Sequence, residues 1–342
     1  AKEKDDMSLV HYVCKEGHLD VLNRLAELGV DINGKDKKGL SPIDYACIND
    51  HLDILDRLIE LGADMHVKDT GGMSLVHYVC KEEHLDVLDR LVQLGADINV
   101  KDNDGWSSIH YTCANGNWDI MNRLLELGVA INDKDNDGLS PIHYACLYGH
   151  LNVLNRLVQV GADVTVKDND GASLVHYACQ EGHLDVLNRL VQLGADPNVK
   201  NNDGWSSVHY ACANGKFELL DRLIEMGTDI HAKDNDGMSP IHYACRNGDL
   251  KILDILVGAG ADVNVKDANG YSPIHYACEN GHLNVLRRLI ELGTDIHGKD
   301  NRGRSLMDIV KVDSELYAML RRSGAWAPHS GSYCEQSCCK IS

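Results

Sequence analysis

The 342-residue sequence predicts an all-α solenoid of stacked helix-turn-helix units with projecting β-turn or hairpin loops, and three observations carry that expectation. The first is a strict period of 33: Tyr recurs at Tyr12, Tyr45, Tyr78 and onward to Tyr276, with Cys two residues later each time, from Cys14 to Cys278. The second is that a glycine register (Gly29 to Gly293) and a lysine register (Lys35 to Lys299) keep the same spacing without an insertion. The third is the content of one unit, two short apolar-periodic segments separated by turn residues. Self-similarity at periods of about 20–50 residues marks an array in which each unit buries its apolar face only against its neighbours.

One unit shows why each element forms. Ser41 is a good N-cap and Pro42 a good first helical residue, because the N–H that proline lacks has no partner at that position anyway. The first helix then carries Ile43, Ala46 and Cys47 on one face and stops near Asn49 and Asp50. Leu52, Ile54, Leu55, Leu58, Ile59 and Leu61 follow helical spacing into Gly62, which suits a left-handed C-cap. Within this second helix Asp53 and Arg57 stand four apart in the favourable order, which predicts an ion pair. Residues 64–72, and "KDNDG" in later units, read as the projecting turn.

The pattern resembles the ankyrin repeat, whose T-P-L-H-x-A signature appears as Ser140-Pro141-Ile142-His143-Tyr144-Ala145, as Ser239 to Ala244 and as Ser272 to Ala277. The resemblance covers nine units over 1–300, a degenerate tenth over 301–325 that reads as a C-terminal capping repeat, and leaves 326–342 as a polar, flexible tail. Departures are Asp44 for the motif His, Ile255 for the recurring Arg, and Pro197 in one turn. A second period lies inside the first: Ser-Leu-Val, Ser-Ser-Ile and Ser-Pro-Ile at 74–76, 107–109 and 140–142 return with little change at 173–175, 206–208 and 239–241.

Chemistry of the ordinary enzymatic kinds is not written in this chain. Acids, His and Cys are multiplied in register, whereas an active site needs one asymmetric group with individually tuned surroundings. No phosphate-cradling glycine loop, nucleophile elbow or zinc-protease helix is present in the sequence. The reading is therefore non-enzymatic and cofactor-free. Helical spacing of His11, Cys14 and His18 offers ligand types but no closed set of four, so no metal site is expected. The resemblance implies instead that the motif His ties neighbouring turns together. The nine repeat cysteines read as a buried, reduced ladder, and with no Asn-x-Ser/Thr site they place the chain in the cytoplasm.

Charge narrows the partner. Lys+Arg number 33 against 52 Asp+Glu, a net of −19, which argues against a nucleic-acid backbone and against a basic membrane helix. The residue after each turn glycine forms a mostly apolar row, with Trp106, Leu139, Trp205, Met238 and Tyr271 in its centre. The residue before it is Asp104, Asp137, Asp170, Asp203 and Asp236 across five consecutive units. The resemblance implies that turn tips and first helices line the partner surface. The function expected is thus a protein-interaction scaffold or adaptor whose acidic edge and aromatic tips hold a basic segment with apolar anchors.

Two alternatives come from the ends of the chain. Cys339-Lys340-Ile341-Ser342 resembles a C-a-a-X box, with Cys338 as a second acylation point, which would make a lipid-anchored adaptor or host-directed effector; membrane contact is expected only if lipidated. No polar unit precedes Met7, so self-association into a stacked structural array is the other. The resemblance further implies that Asn33, Asn99, Asn132, Asn198 and Asn264 occupy a position that is hydroxylated in some ankyrin-type proteins, a turn-stabilising role being preferred here.

Overall fold

The computed structural model describes residues 6–312 and 314–325, and within them twenty helices and no named strand. The pairs run α1 (Leu9–Lys15) with α2 (Leu19–Glu27), α3 (Pro42–Ile48) with α4 (Leu52–Glu60), and α5 (Leu75–Glu82) with α6 (Leu85–Gln93). Next come α7 (Ser108–Asn115) with α8 (Trp118–Glu126), α9 (Pro141–Leu147) with α10 (Leu151–Gln159), and α11 (Leu174–Glu181) with α12 (Leu184–Gln192). After these stand α13 (Ser207–Ala213) with α14 (Phe217–Glu225), α15 (Pro240–Asn247) with α16 (Leu250–Gly258), and α17 (Pro273–Glu279) with α18 (Leu283–Glu291). The short α19 (Leu306–Ile309) and α20 (Glu315–Arg322) complete the set.

The chain divides after Ala195 into two compact units. In the first, the odd-numbered helices α1 to α11 pack one on the next, and the even-numbered helices α2 to α12 form a second layer against them. In the second unit α13, α15, α17 and α19 form one layer and α14, α16, α18 and α20 the other. The projecting loops are turns, with isolated antiparallel bridges at Lys68–Ser74, Lys167–Ser173 and Lys299–Ser305 among the described residues.

Local chemistry accounts for the elements. The second helix of each pair ends in a Schellman motif; in α4 the N–H of Gly62 reaches Ile59 O at 3.0 Å and that of Ala63 reaches Leu58 O at 2.9 Å, with Gly62 at φ 86°. Ile54, Leu55 and Leu58 are fully buried, as are Ile43, Ala46 and Cys47 of the facing helix. Burial pushes the Cys14, Cys80 and Cys278 thiols up to about 12, so these sulfurs behave as small apolar groups rather than nucleophiles.

What binds neighbour to neighbour is a set of hydrogen bonds repeated in register. Ser74 N–H donates to His77 Nδ1 at 3.0 Å, which assigns the ring proton to Nε2; that nitrogen donates to Val100 O of the next turn at 2.9 Å. His110 does the same toward Leu139 O at 3.3 Å. A second histidine, at the start of the second helix, reaches back: His84 Nε2 to Ile48 O at 2.9 Å and His150 Nε2 to Ala114 O at 3.0 Å. Where that histidine is replaced by Asn117, the equivalent carbonyl, Lys81 O, is taken by Asn115 at 2.7 Å; where it is replaced by Asp249, Asn247 takes Ala213 O at 2.6 Å. At these two positions the compensation keeps the helix end satisfied. Lysines add a further tie: the ammonium groups of Lys35, Lys68, Lys101 and Lys134, and of Lys200, Lys233 and Lys266, each donate to the carbonyl of the next lysine, as Lys68 does to Lys101 O at 2.9 Å.

The arginines correct one expectation. Arg57 does not pair with Asp53; its Nε donates to Asn23 Oδ1 of the preceding helix pair at 2.6 Å, and its NH1 meets Glu60 at 2.9 Å, while Asp53 accepts the N–H of Ile54. Arg90 to Asp56 and Arg288 to Asp254 repeat the inter-repeat contact at 2.6 and 2.7 Å. In a stacked array the acceptor one unit back is nearer than the one on the next turn of the same helix.

Candidate functional site on the turn tips

Each tip is organised by one side chain, an aspartate except at the Trp205 tip, where Asn201 takes the role. Asp102 Oδ1 accepts the N–H of Asp104 at 3.0 Å and of Trp106 at 2.8 Å, and its Oδ2 accepts the Tyr111 hydroxyl. Asp135 repeats this with Asp137 N, Leu139 N and the Tyr144 hydroxyl, and Asp267 with Asn269 N, Tyr271 N and the Tyr276 hydroxyl. The period-defining tyrosines are therefore turn locks, a role the sequence reading missed. The pattern was present as an Asp nine residues before each period-defining Tyr from Tyr45 to Tyr276, broken there only by Asn201, whose amide donates to Tyr210 Oη at 3.1 Å. Burial and the adjoining Asp135 carboxylate raise the Tyr144 phenol far above its ordinary range, so it stays a donor.

The tips are close-packed along each unit. Gly105 sits at φ 85°, and a Cβ there would stand 2.7 Å from Asn136 Oδ1 and 2.8 Å from Asn136 N, so only glycine lets the next turn approach. Asn136 N–H donates to Asp104 O at 3.0 Å and its amide to Asn103 O at 2.8 Å. At the other end of the loop Asn99 Oδ1 accepts Ala130 N–H at 3.0 Å, and Asn33, Asn132, Asn198 and Asn264 hold equivalent bonds.

On this frame the expected contact row is not uniformly open. Leu139 is 9% exposed, Met238 5% and Tyr271 7%, so the row's exposure is corrected at these three positions. The cause is the close approach of consecutive tips, which lays each such side chain against the first helix and the neighbouring turn. Trp106 and Trp205 are half-buried. The Trp106 ring lies 4.3 Å from Tyr144 and 4.9 Å from Tyr111 between centroids, tilted at 57° and 58°; Trp205 lies 4.6 Å from Tyr243 and 5.2 Å from Tyr210. Asp104, Asp137, Asp170, Asp203 and Asp236 are all exposed, and none of the five carboxylates forms an ion pair among the described residues.

The last tip differs. Asp300 caps the N–H groups of Arg302 and Arg304 at 2.9 and 2.8 Å, but Ile309 stands where the locking tyrosine would, and Asp300 Oδ2 accepts Arg304 Nε at 2.8 Å instead. The Arg304 guanidinium lies over the Tyr271 ring, 5.6 Å from its centroid, and NH2 donates to the Tyr271 hydroxyl. A polar cleft of about 380 Å³ beside it is lined by Asn269, Tyr276, Glu279 and Arg302, among others. Two more aromatics escaped the sequence reading: Trp118, opening α8 in a register of leucines, and Tyr148, in a register of Glu and Asn, are 45% and 50% exposed.

Among the described residues no group of three or more His, Cys, Asp or Glu could hold a metal ion, and no helix is long and apolar enough to cross a membrane. Cys338 and Cys339 lie outside the described residues.

Helix pairs repeated at a fixed period, each presenting a locked turn, define a helical-repeat array of the kind that builds extended binding surfaces. The family model for ankyrin repeats, three copies long, matches residues 1–69, 76–168, 175–267 and 208–300; the chain belongs to the ankyrin repeat family and is an all-α ankyrin solenoid by class. Ankyrin repeats are in general protein-interaction modules on a fold that is typically non-catalytic. No curated protein matches the chain.

Proposed function

We propose that this protein is a non-catalytic scaffold or adaptor that binds a partner protein through a basic segment laid on its turn tips. The observation that carries the reading is the row of exposed, unpaired carboxylates beside half-buried tryptophans: Asp104, Asp137 and Asp170 with Trp106 in the first unit, Asp203 and Asp236 with Trp205 in the second. Carboxylates left without an internal cation keep their full field for a partner, which speeds encounter with a basic surface, while the aromatic area supplies the hold. Leu139, Met238 and Tyr271 act in this reading from beneath, by fixing the tips. Capture from cell extract by the full chain tests it, with the partner identified by mass spectrometry and the five aspartates changed to Asn in a parallel sample. A partner recovered by the native chain, weakened by salt and lost with the variant is the expected result. Equal recovery by both chains moves the site off the tips.

A further inference from the structure

We propose that the Trp106 tip, and the equivalent Trp205 tip in the second unit, each receive one cationic side chain of the partner, a guanidinium or ammonium seated on the indole and held by the flanking carboxylates. This rests on the protein-binding reading above and names the chemistry of its contact.

Three features of the Trp106 tip fit a cation. The indole is the strongest aromatic platform for one. It is preorganised, because the rings of Tyr111 and Tyr144 that wall it, at 4.9 and 4.3 Å between centroids, are themselves tethered through their hydroxyls to Asp102 and Asp135. Asp104 on the same tip and Asp137 on the next present exposed carboxylates with no ion pair among the described residues. The indole N–H has no acceptor among the described residues and can donate to a partner carbonyl.

The protein displays the same arrangement with a cation of its own. Tyr271 occupies the register of Trp106, and the residue one period later is Arg304, whose guanidinium covers the Tyr271 ring and donates to its hydroxyl and to Asp300. One period after Trp106 stands Leu139, and after Trp205 stands Met238. The register that supplies an arginine to Tyr271 thus supplies an aliphatic side chain to each tryptophan, and the carboxylates beside them remain for an outside cation. At Trp205 the walls are Tyr243 and Tyr210, at 4.6 and 5.2 Å, with Asp203 and Asp236 exposed.

The test is calorimetric titration of the full chain with an acetylated, amidated octapeptide of alternating Ala and Arg, and with its Ala-Gln and Ala-Leu counterparts. Three chains are compared: native, Trp106→Leu/Trp205→Leu and Trp106→Tyr/Trp205→Tyr. Leucine and tyrosine are native to this register at Leu40 and Tyr271, so both variants are expected to fold, and circular dichroism melts verify it. The expected result is binding of the Arg peptide in preference to both others, weakened about five- to tenfold in the Leu variant and far less in the Tyr variant. Equal binding of the Arg peptide by the native and Leu chains overturns the proposal in favour of carboxylates alone. Preference for the Ala-Leu peptide, or no saturable binding of the Arg peptide, also overturns it. In each of these cases the wider reading stands if the captured partner is still lost with the aspartate variant, and falls with it if that partner is retained.

Discussion

Trp106 and Tyr271 hold one register in different units, yet the first is half-buried beside free carboxylates and the second is covered by Arg304. The difference traces to two substitutions near the last tip. Ile309 replaces the locking tyrosine, which frees Asp300 Oδ2, and Arg304 replaces the aliphatic residue of the row and takes that oxygen. A row that looks continuous in sequence is therefore a mixture of tips open to a partner and tips closed by the chain itself. Beneath both tips the frame is a buried histidine whose Nδ1 accepts from its own helix start; His110 Nε2 also reaches Leu139 O, whereas His275 Nε2 has no partner among the described residues.

The largest effect expected is loss of that common frame in acid. Burial lowers the pKa of His77, His110, His209, His242 and His275, and that of His143 to about 4. The unfolded chain takes a proton near pH 6.5 that folded His143 refuses until about 4, so stability is lost as pH falls through this window. His143 alone accounts for about 3 kcal/mol by pH 4. Thermal melts between pH 7 and 4 should show a falling Tm; a flat profile would contradict the assignment of neutral, buried imidazoles.

Next in size is repair of Asp44, which with Asp308 of the closing unit is one of two acids in the histidine register. Asp44 is fully buried, accepts from Ser41 N and Oγ at 2.7 Å through Oδ2, and leaves Oδ1 without a partner. Burial raises its pKa, the opposite sign from the histidines, so its penalty is greatest at neutral pH and fades in acid. Asp44→His should raise stability by about 1–3 kcal/mol at pH 7, with a smaller gain at pH 5. Denaturant melts at the two values measure both quantities, and no gain at pH 7 would show that the carboxyl is already satisfied.

The smallest effect on stability and the sharpest on the comparison is expected from Arg304→Met. It should leave Tm nearly unchanged, since that guanidinium is at the surface, and should uncover the Tyr271 ring. Oxidative footprinting would then find Tyr271 more reactive than in the native chain; unchanged reactivity would place its protection elsewhere.

Much of the fold was legible because its determinants are local and repeated. Ser41-Pro42 starts a helix and Gly62 ends one by rules that need only near neighbours, and the period supplies the stacking. What failed was whatever depends on the residue one unit away. Arg57 obeys a partner at Asn23 rather than Asp53, and Leu139 is buried by the tip beside it. Asp102 and Tyr111 are nine apart, a spacing no helix or strand rule singles out, so their lock was visible only as a coincidence of two registers. Trp118 and Tyr148 lie outside the tip row, and their only mark in the sequence is that each breaks its own register.

The most direct measurement is side-chain oxidation of the full chain, free and with the Ala-Arg octapeptide, quantified at Trp106 and Tyr271. Trp106 is expected to react readily and to be protected by the Arg peptide but not by its Gln counterpart, while Tyr271 stays slow under every condition. Equal reactivity of the two rings, or a Trp106 that no cationic peptide protects, would contradict that expectation.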